Sequence, residues 1–153
     1  MQRRSLRYGS IDQAIDDIDA LHTCGYDRAG NWDLAQACDH LTMAMRMSLD
    51  GWPPDRRVPW PLRVFGATVA KWAILWFGYI PRGVPLPHGS LGNEDPRPEQ
   101  TAVSHCIATF RELRDHTGDF YPHPIVGRMS ARQWRRYHLV HAAHHLSLLV
   151  PRS

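Results

Sequence analysis

Apolar residues recur at helical spacing in five stretches of the chain, and no run alternates with the period of two that a half-buried strand requires. Ile11, Ala14, Ile15, Ile18 and Leu21 form the first stripe, opened by the capping box Ser10-Ile11-Asp12-Gln13 and stopped by Gly25. Leu34, Ala37, Cys38, Leu41, Met45 and Leu49 predict a second helix over 32–50, with Asn31 as N-cap and Gly51 past its end. The third stretch, 62–77, follows Pro61 and is apolar nearly all round, as a helix buried in a bundle is. Ala102, Val103, Cys106, Ile107, Phe110 and Leu113 mark a fourth helix over 99–116. A second capping box, Ser130-Ala131-Arg132-Gln133, begins a fifth that is expected to run to Val150. The pattern predicts an all-α bundle with no sheet.

Two connections break this series. Residues 50–61 carry Pro53, Pro54 and Pro59 with Trp52 and Trp60, an irregular but apolar linker expected to pack. Residues 79–98 are rich in Pro and Gly, and a connection that long either has a role, such as a lid over one end of the bundle, or covers the surface.

Composition changes the picture little. A chain of 153 residues, 43% hydrophobic and 22% charged, is long enough for one domain with its own core, here 1–153. The net charge of +3 is mild, and the clusters Arg3, Arg4, Arg7 and Arg132, Arg135, Arg136 accompany no nucleic-acid motif, so no nucleic-acid partner is expected. Cys24, Cys38 and Cys106 lack CxxC spacing, which predicts neither a disulfide framework nor a zinc knuckle and suits a reducing compartment. The first residues lack the apolar run of a secretory signal, so a cytoplasmic location is expected. The challenge to this reading is 64–80, whose only charge is Lys71. A charge near mid-span costs roughly 2.5–3.5 kcal/mol, and the run is at the short limit for crossing a bilayer. A buried helix is expected and membrane association is the weaker alternative; Trp72, Trp76 and Phe77 line either the core or a homodimer face.

The candidate chemistry lies in the fifth helix, where four of the ten histidines, His138, His141, His144 and His145, fall together. At about 100° per residue, His141 and His145 lie one turn apart on one face, close enough to share an ion. His138/His141 and His141/His144, spaced i,i+3, are alternatives, whereas His138 and His145 are roughly 10 Å apart along the axis. Ala142 stands where a zincin has its catalytic Glu, which excludes that class of protease. His40, flanked on its face by the small Ala37 and Ala44, is the leading candidate for a third ligand. Gln36 is a candidate to orient that ligand. Trp134, Tyr137, His138, His144 and His123 are candidates to line or order the pocket, Trp134 and Tyr137 chiefly through packing and His123 through the turn before the last helix.

The segments Asn31-Trp-Asp-Leu-Ala-Gln-Ala-Cys-Asp-His40, His123-Pro-Ile-Val-Gly127 and His141-Ala-Ala-His-His145 resemble the DinB/YfiT-like superfamily, and within it an uncharacterised bacterial branch. The resemblance implies a four-helix bundle, here with an additional helix and long Pro/Gly-rich connections. It also implies that His40, His141 and His145 bind one divalent metal, with Zn or Ni best suited to such ligands. Relatives in that superfamily include transferases that use a low-molecular-weight thiol such as bacillithiol, mycothiol or glutathione. The implied activity is therefore thiol-dependent S-transfer on a small molecule or a metal-assisted hydrolysis. A helical binding module without turnover is the other reading.

Overall fold

The computed structural model describes residues 2–52, 60–65, 68–69, 71–78 and 97–152. Among them the chain is mostly helical. Helix α1, Ile11–Cys24, starts where the Ser10 side chain accepts the Gln13 N–H, and buries Ile11, Ala14, Ile15, Ile18 and Leu21. Gly25, at φ 75°, then turns the chain out of the helix in a conformation that L side chains rarely adopt.

Helix α2, Leu34–Asp50, begins at the first residue of its apolar stripe, two residues later than a cap at Asn31 implies. Its N-cap is Asp33 and not Asn31. The Asp33 carboxylate accepts the Gln36 N–H at 2.8 Å, and the Gln36 side-chain oxygen accepts the Asp33 N–H at 3.0 Å. This reciprocal box outcompetes a cap at Asn31 because it satisfies two otherwise orphaned donors at once. Trp32 is thereby left outside the helix. Asp33→Ala is expected to lower stability by about 1 kcal/mol, measured by urea unfolding, while Asn31→Ala should leave the midpoint unchanged.

Helices α4, Glu99–Asp115, and α5, Ala131–Leu146, follow α3, Trp60–Phe65, and a π-helical turn, Ala73–Phe77. The described residues of 62–77 are helical as expected, in part α-helical and in part π-helical, but the expected burial does not occur. Of its described residues Ile74 alone is buried, against Val126 and Val140, while Val64, Phe65, Val69, Trp72, Trp76 and Phe77 are exposed. No helix among the described residues is long and apolar enough to cross a membrane. The main core is built instead by α1, α2, α4 and α5, which bring Ile18, Leu34, Leu41, Phe110, Leu113 and Leu146 into one cluster. Each such side chain contributes roughly 1.5–3 kcal/mol by leaving water. The proposed loop over 79–98 falls, up to residue 96, outside the described residues, as does 53–59 of the proline-rich linker.

A short ribbon also departs from the all-helical expectation. Strand β1, Tyr26–Arg28, pairs antiparallel with β2, Leu149–Pro151, in the register Tyr26↔Pro151, Asp27↔Val150, Arg28↔Leu149. The fifth helix consequently ends at Leu146 and not at Val150. Strands of three residues are too short to show alternation, and these pair because the end of α1 and the end of α5 are brought together by the core. The ribbon holds the start of α2 beside the end of α5. Arg4 reinforces this end, donating to both Asp17 carboxylate oxygens and to the Leu146 carbonyl.

Candidate metal centre

His40 on α2 meets His141 and His145 on α5, while Ser48, two turns further along α2, meets His138, one turn earlier on α5. The two helices therefore run antiparallel, with the histidines at one end of their contact. His141 Nε2 lies 3.1 Å from His40 Nε2 and 3.0 Å from His145 Nε2. One ligand atom from each residue falls within 4.8 Å of the others. Bonds of about 2.0–2.1 Å to a tetrahedral ion separate ligand nitrogens by about 3.3–3.4 Å, so the cluster is close to the size a metal demands.

Hydrogen bonding alone serves this arrangement poorly. A neutral imidazole nitrogen carries either one in-plane lone pair or one proton, yet His141 Nε2 faces two other Nε2 atoms. Burial, followed by the like charge of His145 and His40, holds His141 well below the usual histidine range. Burial and then His40 push His145 down to about 3. Both are thus neutral, the form that ligates a metal. With Nε2 as ligand the proton sits on Nδ1, and His141 Nδ1 is enclosed without a hydrogen-bond partner among the described residues. The three residues fit a divalent ion better than they fit one another.

Trp32, freed from α2 by the Asp33 cap, covers the cluster. Its ring stacks on His145 at 5.0 Å and 8°, and stands edge-on to His40 at 5.0 Å. A cap at Asn31 would make it the first helical residue, and only the reciprocal pattern Asp33-x-x-Gln36 signals otherwise. Gln36 is not positioned as a partner of His40: it is exposed and its side-chain oxygen is committed to the N-cap.

The other candidates separate from the cluster. His138 is buried and contacts Ser48 Oγ through Nε2 at 3.0 Å. Ser48 donates its hydroxyl to the Met45 carbonyl at 2.7 Å, so it accepts the His138 Nε2–H. That bond removes the alternative His138/His141 pair. His144 stands edge-on to His145 at 5.0 Å, beside the cluster and not in it. Trp134 is buried, stacked between Phe120 and His138. His123 Nδ1 accepts the backbone N–H groups of Ile125 and Val126, each at 3.1 Å. Its proton therefore sits on Nε2 and is donated to the Tyr137 hydroxyl oxygen at 3.2 Å. This ties the turn before α5 to α5 itself, and burial pushes the Tyr137 phenol up to about 12.

Burial also pushes His138 down to about 3, with His123 adding to the effect. Its unfolded counterpart takes up a proton near pH 6.5, so between these values the unfolded state binds the extra proton. The stability it contributes is complete above pH 6.5 and lost as pH falls toward 3, by up to about 1.4 kcal/mol per pH unit. Urea midpoints of chelator-treated protein between pH 7 and 4 should fall accordingly, and less steeply for His138→Asn. Equal slopes for the two proteins would contradict this.

These features define a mostly helical protein with a three-histidine cluster able to hold a metal ion. The chain belongs to the family described as "Protein of unknown function (DUF1569)", which it matches over residues 1–152. No curated protein and no solved structure matches it.

Proposed function

We propose that His40, His141 and His145 hold one divalent ion, Zn or Ni, and that the protein is a DinB/YfiT-like bundle acting as a thiol-dependent S-transferase on a small molecule. The convergence of three Nε2 atoms from two helices on one point supports this reading most directly. Three neutral imidazoles are the ligand set of a catalytic site, and a bound ion would supply Lewis acidity at an open coordination position. The chain's own residues do the rest. His40 and His145 present their rings against Trp32, which excludes water from one side of the cluster. The antiparallel contact of α2 with α5 fixes the ligands before any ion arrives, which reduces reorganisation on binding. The resemblance of the His40 and His141–His145 motifs to the superfamily supports a low-molecular-weight thiol as co-substrate, with metal-assisted hydrolysis as the second chemistry the same site suits.

The test is thiol consumption with a chromogenic aryl chloride, using bacillithiol, mycothiol and glutathione in turn, on metal-loaded and chelated protein. Metal-dependent turnover with one thiol, absent in His141→Ala, is expected. A loaded protein that turns over with none of the three thiols would instead be a metal-binding module without S-transferase activity.

A further inference from the structure

Away from the metal cluster, one titrating ring is held in a chain of hydrogen bonds that joins several elements. His22, in the last turn of α1, places Nδ1 2.9 Å from Glu99 Oε1 and Nε2 2.8 Å from Gln100 Oε1, on the first two residues of α4. The Tyr26 hydroxyl, on β1, donates to Glu99 Oε2 at 2.8 Å and accepts the N–H of Leu34, the first residue of α2, at 2.9 Å. Segments α1, β1, α2 and α4 are thus joined through the Glu99 carboxylate.

Both oxygens that face the His22 ring are acceptors, so both contacts are hydrogen bonds only when the ring carries two protons and a positive charge. The bonds to Glu99 and Gln100 hold His22 above the usual histidine range, and Asp19 on α1 adds to the effect. Burial, with Glu99 and Asp33 contributing, pushes the Tyr26 phenol up to about 12, so it stays a donor through the neutral range. Deprotonated, the His22 ring can keep Nδ1–H on Glu99 but turns an Nε2 lone pair on the Gln100 oxygen, and Glu99 loses its cation. The unfolded ring gives up its proton near about pH 6.5. What the charged ring adds is therefore fully present below about pH 6.5 and is lost as pH rises through the higher folded value, the opposite sense to His138.

The segment fastened here is the one that carries Trp32. Tyr26 and Leu34 bracket it, and their hydrogen bond closes residues 26–34 on themselves. Within that closure the Asp33 cap leaves Trp32 outside α2, and its ring lies flat against His145 at 5.0 Å. We propose that His22 is a pH-sensitive clasp that seats Trp32 over the three-histidine cluster and loosens that seat as pH rises. The consequence for a bound ion rests on the metal-site reading; the fastening of Trp32 does not.

Fluorine magnetic resonance of the full chain, labelled with fluorotryptophan and treated with chelator, tests this between about pH 5.5 and 9. The Trp32 signal, identified by its loss in Trp32→Phe, should shift with the same midpoint as the His22 ring protons, above about pH 6.5, and should hold still in His22→Gln. Glu99→Gln should bring the His22 midpoint down by about half a pH unit or more. A Trp32 signal that does not move, one that moves equally in His22→Gln, or a His22 midpoint at or below about 6.5 would each overturn the proposal. Because the readout is taken without metal, failure of the metal-site reading leaves these titrations as they are.

Discussion

His141→Ala, purified without a His-tag, should retain less than about a tenth of the divalent ion carried by the wild-type chain, whereas His144→Ala should retain nearly all of it. His141 is the shared vertex of the cluster, at 3.1 Å from His40 and 3.0 Å from His145. Its loss leaves two nitrogens on different helices, while His144 only stands beside His145. Binding to the native state also raises its stability. At an ion concentration about a hundred times Kd the gain is about 2.7 kcal/mol, or roughly 5–10 °C in Tm for a domain of this size. The shift should be present in wild type and His144→Ala and absent in His141→Ala. Plasma mass spectrometry and thermal unfolding read the two effects separately. Full metal content in His141→Ala, or none in reconstituted wild type, would remove the three-histidine site and the function built on it.

Trp134→Ala should lower the free energy of unfolding by about 3–5 kcal/mol, a substantial part of the 5–15 kcal/mol typical of a domain. The indole is 1% exposed, stacks on Phe120 at 6.1 Å and on His138 at 5.3 Å, and meets Tyr137 edge-on at 5.5 Å. Its removal opens a cavity where the turn before α5, α5 itself and the Ser48–His138 hydrogen bond meet. Trp134→Phe should cost less than half as much, because Trp134 Nε1 has no hydrogen-bond partner among the described residues and the substitution breaks no polar contact. Denaturant unfolding of the two variants decides the matter. Equal losses would show that the indole N–H, and not its bulk, is what the core requires.

Much of the helical structure was legible locally. The stripes of α1 and α4 and the capping boxes of α1 and α5 follow rules that act within a few residues, so Ser10 and Ser130 mark helix starts that the fold retains. Local rules failed where two signals competed, as at Asn31 and Asp33, and where burial depended on a distant partner. Residues 62–77 are apolar enough for a core helix, yet the core is filled by the other four helices, and among the described side chains of that stretch only Ile74 finds a buried place. The strands β1 and β2, 121 residues apart from Arg28 to Leu149, have no local signal at all.

The same division runs through the site. That His141 and His145 share a face follows from the pitch of one helix, and the sequence by itself determined it, as it determined that no zincin Glu stands between them. Which other histidine joins them, and which neighbours do not, was decided by the tertiary structure. His40 lies 101 residues from His141 and reaches it only because α2 packs antiparallel on α5, a choice made by the summed burial of Leu34, Leu41, Leu139 and Leu146. That same packing sends His138 to Ser48 and lays Trp32 over His145. Side-chain chemistry and helical pitch are local quantities; the meeting of two faces depends on the free energy of the whole core.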